Sequence, residues 1–176
     1  MVIILTATVV QLHRQGRVWY CACGHYNPWA GDIWSSHNSQ HLFDPYSFTH
    51  ILHGILLFWL ILWLFRRWSF PWRLTAAILF ESLWEVAENA PFIIQRYREA
   101  TIGLGYEGDS IINSLSDIAC CSAGFILARY LGFRLSLAVF LVVEVLLAVL
   151  VRDNLTLNVL MLLCPVDAIK QWQMVH

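Results

Sequence analysis

Charged side chains are scarce in this sequence. Only 13% of its 176 residues are Asp, Glu, Lys or Arg, whereas 59% are hydrophobic, and nine are Trp. A soluble domain is about a quarter charged and about half apolar, so the composition argues against an ordinary soluble protein. The formal net charge is −1 and no basic patch is present, which argues against a nucleic-acid-binding protein. The composition favours a multi-pass membrane protein folded as one bundle.

Several familiar sequence signals are also missing. The N-terminal run MVIILTATVVQLHRQGR has no basic residue before its apolar part, so it lacks the pattern of an ordinary signal peptide. No lipobox precedes Cys21, and no internal repeat, low-complexity run or nucleophile motif is found. The sequence therefore gives no support for covalent catalysis, and it argues mildly against a repeat-built transporter.

The five cysteines form no recognisable framework. Cys21 and Cys23 are one residue apart, and a disulfide between residues so close would be strained. With His25 these two thiols could hold a soft metal ion, but no second cysteine pair completes a zinc pattern. Cys120 and Cys121 fall inside an apolar segment, where buried free thiols are expected. Structural or incidental cysteines, with Cys164 among them, are the favoured interpretation.

Apolar segments predict the architecture. Four have about the length that a helix needs to cross a bilayer, at residues 46–65, 74–94, 110–131 and 135–151. Residues 1–15 are expected to form a partial span or to lie partly in the interface. Residues 155–173 are expected to form an interfacial segment, whose apolar part could alternatively be re-entrant. Pro91 is expected to kink the third span. We predict an all-α fold, a polytopic transmembrane helix bundle of about five spans that forms a single domain over residues 1–176, with a polar site at its periplasmic end.

Arginines suggest the orientation of this bundle. One set of turns contains arginine but no acidic residue: Arg66, Arg67, Arg73, Arg129 and Arg134. The opposite turns mix arginine with acidic residues: Arg96, Arg98, Arg152, Asp32, Asp44, Glu99, Glu107, Asp109 and Asp153. Basic turns favour the cytoplasm, so we place the acid-free turns there and the mixed turns in the periplasm. The prediction is a multi-pass protein of the bacterial inner membrane.

Three glutamates stand inside the apolar stretch LFESLWEVAENAPFII, residues 79–94. Glu81, Glu85 and Glu88 are spaced i, i+4 and i+7, so they share one helix face. A buried carboxylate is costly unless it is partnered or protonated, and ionisable groups within a membrane indicate a functional site. The simpler alternative is interhelical hydrogen bonding and pairing with an arginine. If a site exists, Glu85 is expected to face Arg96 or Arg98 and the pair formed by His50 and His53.

Other segments bring candidate partners to the same end of the bundle. His50 and His53 are i, i+3 neighbours, and Asp109, Asn113 and Asp117 follow one stripe. These sets fit a metal site or a proton relay, or alternatively core histidines and a helix cap. The residues assigned to catalysis are Glu81, Glu85, Glu88, His50, His53, Asp109 and Asp117. The residues assigned to substrate binding are Arg96, Arg98, Asn89, Asn113 and Arg152.

A divalent metal is a candidate cofactor. Its candidate ligands are His50, His53 and Glu85, and such mixed nitrogen and oxygen donors suit Zn, Mn or Fe. The segment from His37 to His41 is either a lid over this site or an ordinary solvated loop. Glu144 stands alone in the fifth span, so we expect it to face the bundle and to be neutral or paired. Asp153 and Asn154, with Thr156, are expected to form a helix cap.

Five stretches together resemble one known family. They are CACG, NSQHLFDPYSFTHILHG, ESLWEVAENAPFIIQRYREATI, GDSIINSLSD and RDNLTLNVLMLLCPVDAIKQWQ, between about Gly16 and Trp172. They resemble a bacterial inner-membrane family, typical of alphaproteobacteria, that is designated a domain of unknown function. The resemblance implies a multi-pass protein of the cytoplasmic membrane and no particular activity. A weaker, fold-level likeness is to VanZ-like membrane proteins, through the order Asp44, His50, Glu81, Glu85, Arg96, Asp109, Asn113 and Gly124.

Three classes of function fit these patterns. The first is a membrane-embedded, hydrolase-like enzyme that acts on a lipid or lipid-linked substrate, with a carboxylate as general base on a water and Arg96 or Arg98 holding a phosphate. The second is a proton or ion relay that uses the same carboxylates. The third is a non-catalytic accessory or assembly protein. Membrane lipid is the expected partner in each case, and nucleic acid is not.

Overall fold

The fold is helical throughout the part of the chain that the computed structural model describes, residues 1–101 and 105–174. Within these ranges no strand forms, and the only β pairing is an isolated bridge between Trp29 and Phe43. The helices are α1 (Val2–Arg14), α2 (Ser47–Leu64), α3 (Phe70–Glu88), α4 (Pro91–Ala100), α5 (Ile111–Leu150), α6 (Leu155–Leu163) and α7 (Asp167–Met174). The predicted all-α class is confirmed.

Helix α5 is interrupted at Gly132. This residue has φ 68° and ψ 172°, a conformation that is open to glycine and strained for other residues. A straight helix of 40 residues would be about 60 Å long. Yet Asn113, near its start, donates to the His41 carbonyl, and Asp153, just past its end, accepts from the Tyr46 hydroxyl. The chain therefore reverses at Gly132, which agrees with the separate fourth and fifth spans that the sequence predicts.

Helix α2 packs against the first half of α5 at close range. A Cβ atom on Gly54 would lie 1.9 Å from the Cys121 carbonyl oxygen, and one on Gly124 would lie 2.0 Å from that of Ile51. Small residues that let helix backbones approach in this way are typical of helix contacts in membranes. Around this contact the buried core consists of Leu52, Ile55, Phe58, Ile61, Ala77, Phe125, Ala128 and Leu155.

The predicted third span, residues 74–94, is divided between two helices. Helix α3 stops at Glu88, Ala90 is extended with ψ 142°, and a separate helix α4 begins at Pro91. Proline has no amide hydrogen to donate and fits the first turn of a helix. Pro91 therefore starts a new helix where the sequence predicted a kink within a continuous one.

Two helices, α2 and α5, are long and apolar enough to cross a membrane. Helix α3 has 19 residues, but Arg73 and the three glutamates make it too polar by the same measure. Helix α1 is apolar and has 13 residues, in keeping with a partial first span. A bundle of five spans is therefore not confirmed.

The two ends of the bundle differ in character. At one end the Arg129 guanidinium lies 4.2 Å from the centre of the Phe70 ring, and Trp59 packs edge-on against Phe133. The turn after α2 and the reversal at Gly132 thus lie together, as the grouping of acid-free arginine turns requires. The opposite end gathers the loop after α1, the segment before α5 and the residues that follow Leu150.

Candidate functional site

The seven side chains assigned to catalysis converge at the polar end of the bundle. They form three overlapping groups in which one potential ligand atom from each residue lies within 4.8 Å of the others: His50, His53 and Glu81; His50, Glu85 and Asp117; Glu85, Glu88 and Asp109. We call these seven residues the acid–histidine cluster. Helices α2, α3 and α5 and the segment just before α5 contribute to it, so residues far apart in sequence meet as predicted.

Glu81 holds both histidines. Its Oε1 atom lies 2.6 Å from Nδ1 of His50 and 3.0 Å from Nδ1 of His53. An ionised carboxylate only accepts hydrogen bonds, so each Nδ1 donates, and Nε2 of a neutral ring is left as an acceptor or metal ligand. Nε2 of His50 lies 3.8 Å from Asp117. The i, i+3 spacing on α2 is what turns both rings to the same carboxylate.

Glu85, unlike Glu81, lacks hydrogen-bond donors to its carboxylate in the described part of the chain. The residue is fully buried, and neither of its carboxylate oxygens accepts a hydrogen bond from any residue in the described part of the chain. The nearest imidazole nitrogen is Nδ1 of His50, at 3.5 Å from Oε1. Within the same ranges Oδ1 of Asp117 also lacks a donor. Buried carboxylates without donors require a proton or a cation to neutralise them.

Asp109 is, by contrast, well supplied with hydrogen-bond donors. Its Oδ1 accepts from the Tyr106 hydroxyl at 2.8 Å and its Oδ2 from the Asn89 amide at 2.8 Å. Burial raises the pKa of Asp109 above its usual range, while these two hydrogen bonds act in the opposite direction. Asn89 also accepts from the Asp109 backbone amide at 2.7 Å. It thus joins the end of α3 to the segment before α5, and its amide positions Asp109.

A cavity of about 970 Å³ opens beside the cluster. Cluster residues in its wall are His50, His53, Glu88, Asp109 and Asp117. Aromatic and apolar side chains complete the wall, among them Tyr46, Trp84, Tyr97, Tyr106, Leu155 and Val159. Glu81 and Glu85 lie behind the wall, in contact with its histidines. The cavity is large enough for a small ligand or a lipid headgroup.

The predicted arginine contacts are not found. The Nε atom of Arg96 donates to the Leu162 carbonyl at 2.9 Å, and Arg98 Nε donates to the Tyr106 carbonyl at 2.5 Å. Within the described ranges every ion pair joins a histidine to an acid. The expectation that Glu85 faces Arg96 or Arg98 is therefore wrong, because α4 starts a new helix after the break at Ala90 and redirects both side chains.

Two further substrate-binding candidates have structural partners. Arg152 donates to the Trp172 carbonyl at 3.0 Å and is not in the cavity wall. Asn113 does line the cavity, but its amide donates to the His41 carbonyl at 2.9 Å. Substrate binding by Arg96, Arg98, Asn89, Asn113 and Arg152 stays a prediction.

Sequence reasoning missed several residues of the cavity wall. Arg17 lines it and donates to the Glu107 carbonyl. The Tyr46 hydroxyl donates to Asp153 at 3.1 Å, and the Tyr97 hydroxyl donates to Asn158 at 3.0 Å. Tyr46 directly follows Asp44 and Pro45, which open the predicted second span, and this position could have indicated that Tyr46 lies near the site. Nothing in one sequence distinguished Arg17 from the other arginines in turns.

Smaller predictions about capping are confirmed. Glu144 is buried, its Oε1 accepts from the Leu155 amide at 2.9 Å, and its Oε2 accepts from the Thr156 amide at 3.0 Å. Asn154 caps α6 by accepting from the Leu157 amide at 2.8 Å. The first backbone amides of α6 thus donate to the side chains of Glu144 and Asn154. Glu144 faces the bundle and has hydrogen-bond partners, as predicted.

The loop before α2 is docked on the rest of the molecule. The Ser39 carbonyl accepts from the Ser110 amide at 2.9 Å, and the Gln40 amide donates to the Gly108 carbonyl at 2.7 Å. Ser39 and Gln40 line the cavity. This placement favours a cover over the site more than a freely solvated loop. The second predicted loop, residues 99–109, includes residues 102–104, which lie outside the described residues.

Comparison with known proteins places these features in a family. The UPF0314 protein of Sinorhizobium fredii is 46% identical over 170 residues, which covers 97% of this chain and 86% of the relative. The UPF0314 protein of Paracoccus denitrificans is 47% identical over 174 residues, which covers 98% of this chain and 89% of the relative. The UPF0314 protein of Brucella anthropi is 43% identical over 174 residues, which covers 97% of this chain and 88% of the relative. No solved structure matches the chain significantly.

The family resemblance inferred from the sequence motifs is confirmed. The weaker likeness to VanZ-like membrane proteins stays a prediction. A family described as "Protein of unknown function (DUF2585)" matches residues 12–175, nearly the whole length, and relatives from several alphaproteobacteria match at about 45% identity. The chain therefore belongs to the DUF2585 family.

Proposed function

We propose that this protein is a multi-pass protein of the bacterial inner membrane and acts as a metal-assisted hydrolase on a lipid or lipid-linked substrate. The acid–histidine cluster is its reaction centre and lies at the periplasmic end. The observation that carries the proposal is the pair of buried Glu85 oxygens without hydrogen-bond donors, next to His50 and Asp117, in the described part of the chain.

Exposed apolar side chains support the membrane location. On α2 and on the second half of α5 the outward residues are Leu56, Leu60, Trp63, Leu64, Leu137, Leu141, Val145 and Val149. Apolar faces of this extent mark a contact with a membrane or a protein partner. Together with the two helices long enough to span, they favour a bilayer as the surroundings of the bundle.

The arrangement of donors supports metal-assisted chemistry. Glu85 and Asp117 contribute oxygens, and His50 adds an imidazole nitrogen within the same 4.8 Å group. Hard carboxylate oxygens with one imidazole suit Mn²⁺, Fe²⁺ or Zn²⁺. A divalent ion at this place would neutralise the two carboxylates that lack hydrogen-bond donors. The ion would also lower the pKa of a bound water, so that this water could attack the substrate at neutral pH.

The residues around this position have distinct parts in the proposal. Glu81 fixes the tautomer and orientation of His50 through the 2.6 Å contact. Glu88, in the cavity wall, is the general base that takes a proton from the attacking water. Asp109, held by Tyr106 and Asn89, is a second carboxylate at the wall.

The shape and lining of the cavity support a lipid-linked substrate. A volume of about 970 Å³ accommodates a headgroup and the start of an acyl or isoprenoid chain. Trp84, Leu155 and Val159 offer apolar contact, and Arg17 brings a cation into the same wall. Arg17 is the better candidate than Arg96 or Arg98 for contact with a phosphate, because the other two lie outside the wall.

A proton relay is the second candidate, and a specific observation favours it. The three groups form a series from Glu81 to Asp109, in which His50 is shared by the groups of Glu81 and Glu85, and Glu85 is shared by the second and third groups. Protons in place of a metal would neutralise Glu85 and Asp117 equally well, and such a series is how relays conduct within membranes.

Manganese binding tests the proposed centre directly. Purified protein in detergent is titrated with Mn²⁺, and bound ion is measured by electron paramagnetic resonance. We expect one bound Mn²⁺, with at least about a 10-fold loss of affinity in Glu85→Gln because a charged ligand is lost. The matched control is Glu99→Gln, an exposed glutamate on α4, which should bind as wild type does. Wild-type protein that binds no Mn²⁺ would overturn the metal-assisted mechanism.

Lipid profiles of a deletion strain test the reaction. We expect one lipid to accumulate in the deletion strain, to disappear with the wild-type gene and to persist with Glu85→Gln or Glu88→Gln. Both variants should keep wild-type folded yield, since glutamine preserves shape and most hydrogen bonding. Full complementation by both variants contradicts a functional role for these carboxylates. Loss of function without a metal or a lipid change favours the relay.

A further inference from the structure

We propose that Cys21, Cys23, His37 and His41 form a structural zinc site, which we call the Cys2His2 loop site. These residues lie in the loop between α1 and α2, and one potential ligand atom from each lies within 4.8 Å of the others. The site shares no residue with the acid–histidine cluster and does not rest on the function proposed for it.

The distances fit tetrahedral zinc. Sγ of Cys21 lies 3.4 Å from Nδ1 of His37, and Sγ of Cys23 lies 4.0 Å from Nε2 of His41. With Zn–S near 2.3 Å and Zn–N near 2.0–2.1 Å, the sulfur–nitrogen edge of a tetrahedron is about 3.6 Å. The two observed edges lie on either side of this value, so an ion at the centre requires only small side-chain shifts.

Backbone amides point at both sulfurs. The Cys23 amide donates to Sγ of Cys21 at 3.4 Å, and the His25 amide donates to Sγ of Cys23 at 3.4 Å. Hydrogen bonds to the charged form of a group stabilise that form, and the thiolate is the form that binds a metal. The tight Cys-Ala-Cys turn thus places two sulfur atoms side by side, each with a backbone donor that a metal-bound thiolate would keep.

The ring of His41 is already oriented as a ligand. Its Nδ1 lies 2.6 Å from the Asn27 carbonyl oxygen, so Nδ1 carries the proton and donates it. The unprotonated Nε2 is the nitrogen that faces Cys23. A backbone carbonyl that holds the far nitrogen of a ligating histidine is a recurrent support for metal sites. Burial of His41 keeps this ring in place.

Only the Cys-x-Cys pair departs from the familiar spacing of a Cys2His2 zinc site. The sequence suggests His25 as a partner of this pair, but His25 is exposed and is not part of the four-residue group. The histidines that complete it are His37, which is separated from Cys23 by thirteen residues (24–36), and His41, which follows His37 after three more. Two thiolates and two imidazoles favour Zn²⁺, whereas carboxylate-rich sites suit harder ions.

The site joins the loop to the cavity. The His41 carbonyl accepts from Asn113, and the neighbouring Gln40 carbonyl accepts from the Ser110 hydroxyl at 3.1 Å. Cys21 and Cys23 lie in the cavity wall. Four closed ligands leave no position for substrate, as in structural zinc sites. Zinc therefore holds this loop as a fixed cover over the acid–histidine cluster.

Metal analysis and X-ray absorption test the site in the full chain in detergent. Protein loaded with Zn²⁺ should hold one ion with a shell of two sulfurs and two nitrogens, in addition to any zinc that binds at the acid–histidine cluster. Cys21→Ser and His41→Gln should each lose this ion, whereas Cys164→Ser, a change at an exposed thiol outside the group, should retain it. Substitution with Co²⁺ should give thiolate charge-transfer absorption in the wild type.

Wild-type measurements keep the proposal falsifiable where a variant fails to fold. A zinc shell of nitrogen and oxygen alone would overturn it, since the ion would then lie in the acid–histidine cluster. Absence of bound zinc in loaded protein would overturn it too, as would thiol counting that finds Cys21 and Cys23 oxidised to a disulfide. The Mn²⁺ titration is independent of all these outcomes, because manganese has little affinity for thiolates.

Discussion

At the residue scale, burial decides how each acid of the polar end behaves. Asp153 is buried, and it accepts hydrogen bonds from Tyr46, Gln173 and the Asn154 amide. Burial nevertheless dominates and raises its pKa to about 6. The side chain that links α2, α6 and α7 is thus destabilised when it is charged.

Asp153→Asn should change how stability depends on pH. An acid whose pKa is raised on folding contributes stability that is fully present below its unfolded pKa, near 4, and is lost as the pH rises through about 6. Relative to wild type, the variant should therefore gain up to about 3 kcal/mol between pH 4 and pH 7. Thermal unfolding in one detergent across this range measures it. The control Asp167→Asn changes an exposed acid, so its stability should depend on pH as that of the wild type does. If the stability of Asp153→Asn runs parallel to that of the wild type across this pH range, the prediction is contradicted.

At the element scale, the contact between α2 and α5 depends on two glycines. Gly54 and Gly124 each face a backbone carbonyl oxygen of the opposite helix, so the two helices touch without intervening side chains. Such an approach brings the polar ends of α2 and α5 together, where His50 and Asp117 lie 3.8 Å apart. The helix contact therefore sets the dimensions of the acid–histidine cluster.

Gly54→Ala and Gly124→Ala should each separate these helices. A methyl group would stand 1.9 Å and 2.0 Å, respectively, from a carbonyl oxygen, so a backbone must move, at a cost of roughly 1–3 kcal/mol or more. Folded yield in detergent and thermal midpoint should both fall. Gly105→Ala is the matched control, because a Cβ there meets no atom within 4 Å. The two changes should be non-additive, since they disturb one contact. Wild-type stability in both variants would mean that the helices do not approach as described.

At the scale of the whole molecule, the bundle has one end with arginines and no acids, and another end where buried acids stand beside arginines. Phe70 and Arg129 meet at the first, whereas Asp44, Asp109 and Asp153 are buried at the second. This polarity is the basis for the proposed orientation, with the acid-free end in the cytoplasm.

Cysteine labelling should reveal that orientation. In a chain whose native cysteines are replaced by serine, Tyr26→Cys should react with a membrane-impermeant maleimide added to intact spheroplasts. Arg67→Cys should react only after the membrane is opened. Both positions are exposed, so reactivity reports the side of the membrane and not burial within the protein. Labelling of Arg67→Cys from outside would reverse the topology and place the acid–histidine cluster in the cytoplasm.

The sequence by itself determined the helical class, most helix positions and the membership of the acid–histidine cluster. Apolar runs of span length specify helices because their backbones must bond internally, and α2 and the two halves of α5 appear where these runs predict. An acid or a histidine buried in an apolar helix without a partner costs free energy, so such residues are expected to lie in contact with one another. All seven predicted cluster residues do so.

Only the tertiary structure decided which partners these residues have. Arginines near Glu88 in sequence turn away, because a break before Pro91 redirects α4. Histidines from the middle of a polar loop meet Cys21 and Cys23, because hydrogen bonds from Ser110 and Asn113 hold that loop. Neither event leaves a periodic signal, since helix breaks and loop docking depend on contacts between residues distant in the chain. Local pattern therefore specifies the helices, whereas the surroundings of each polar group follow from packing.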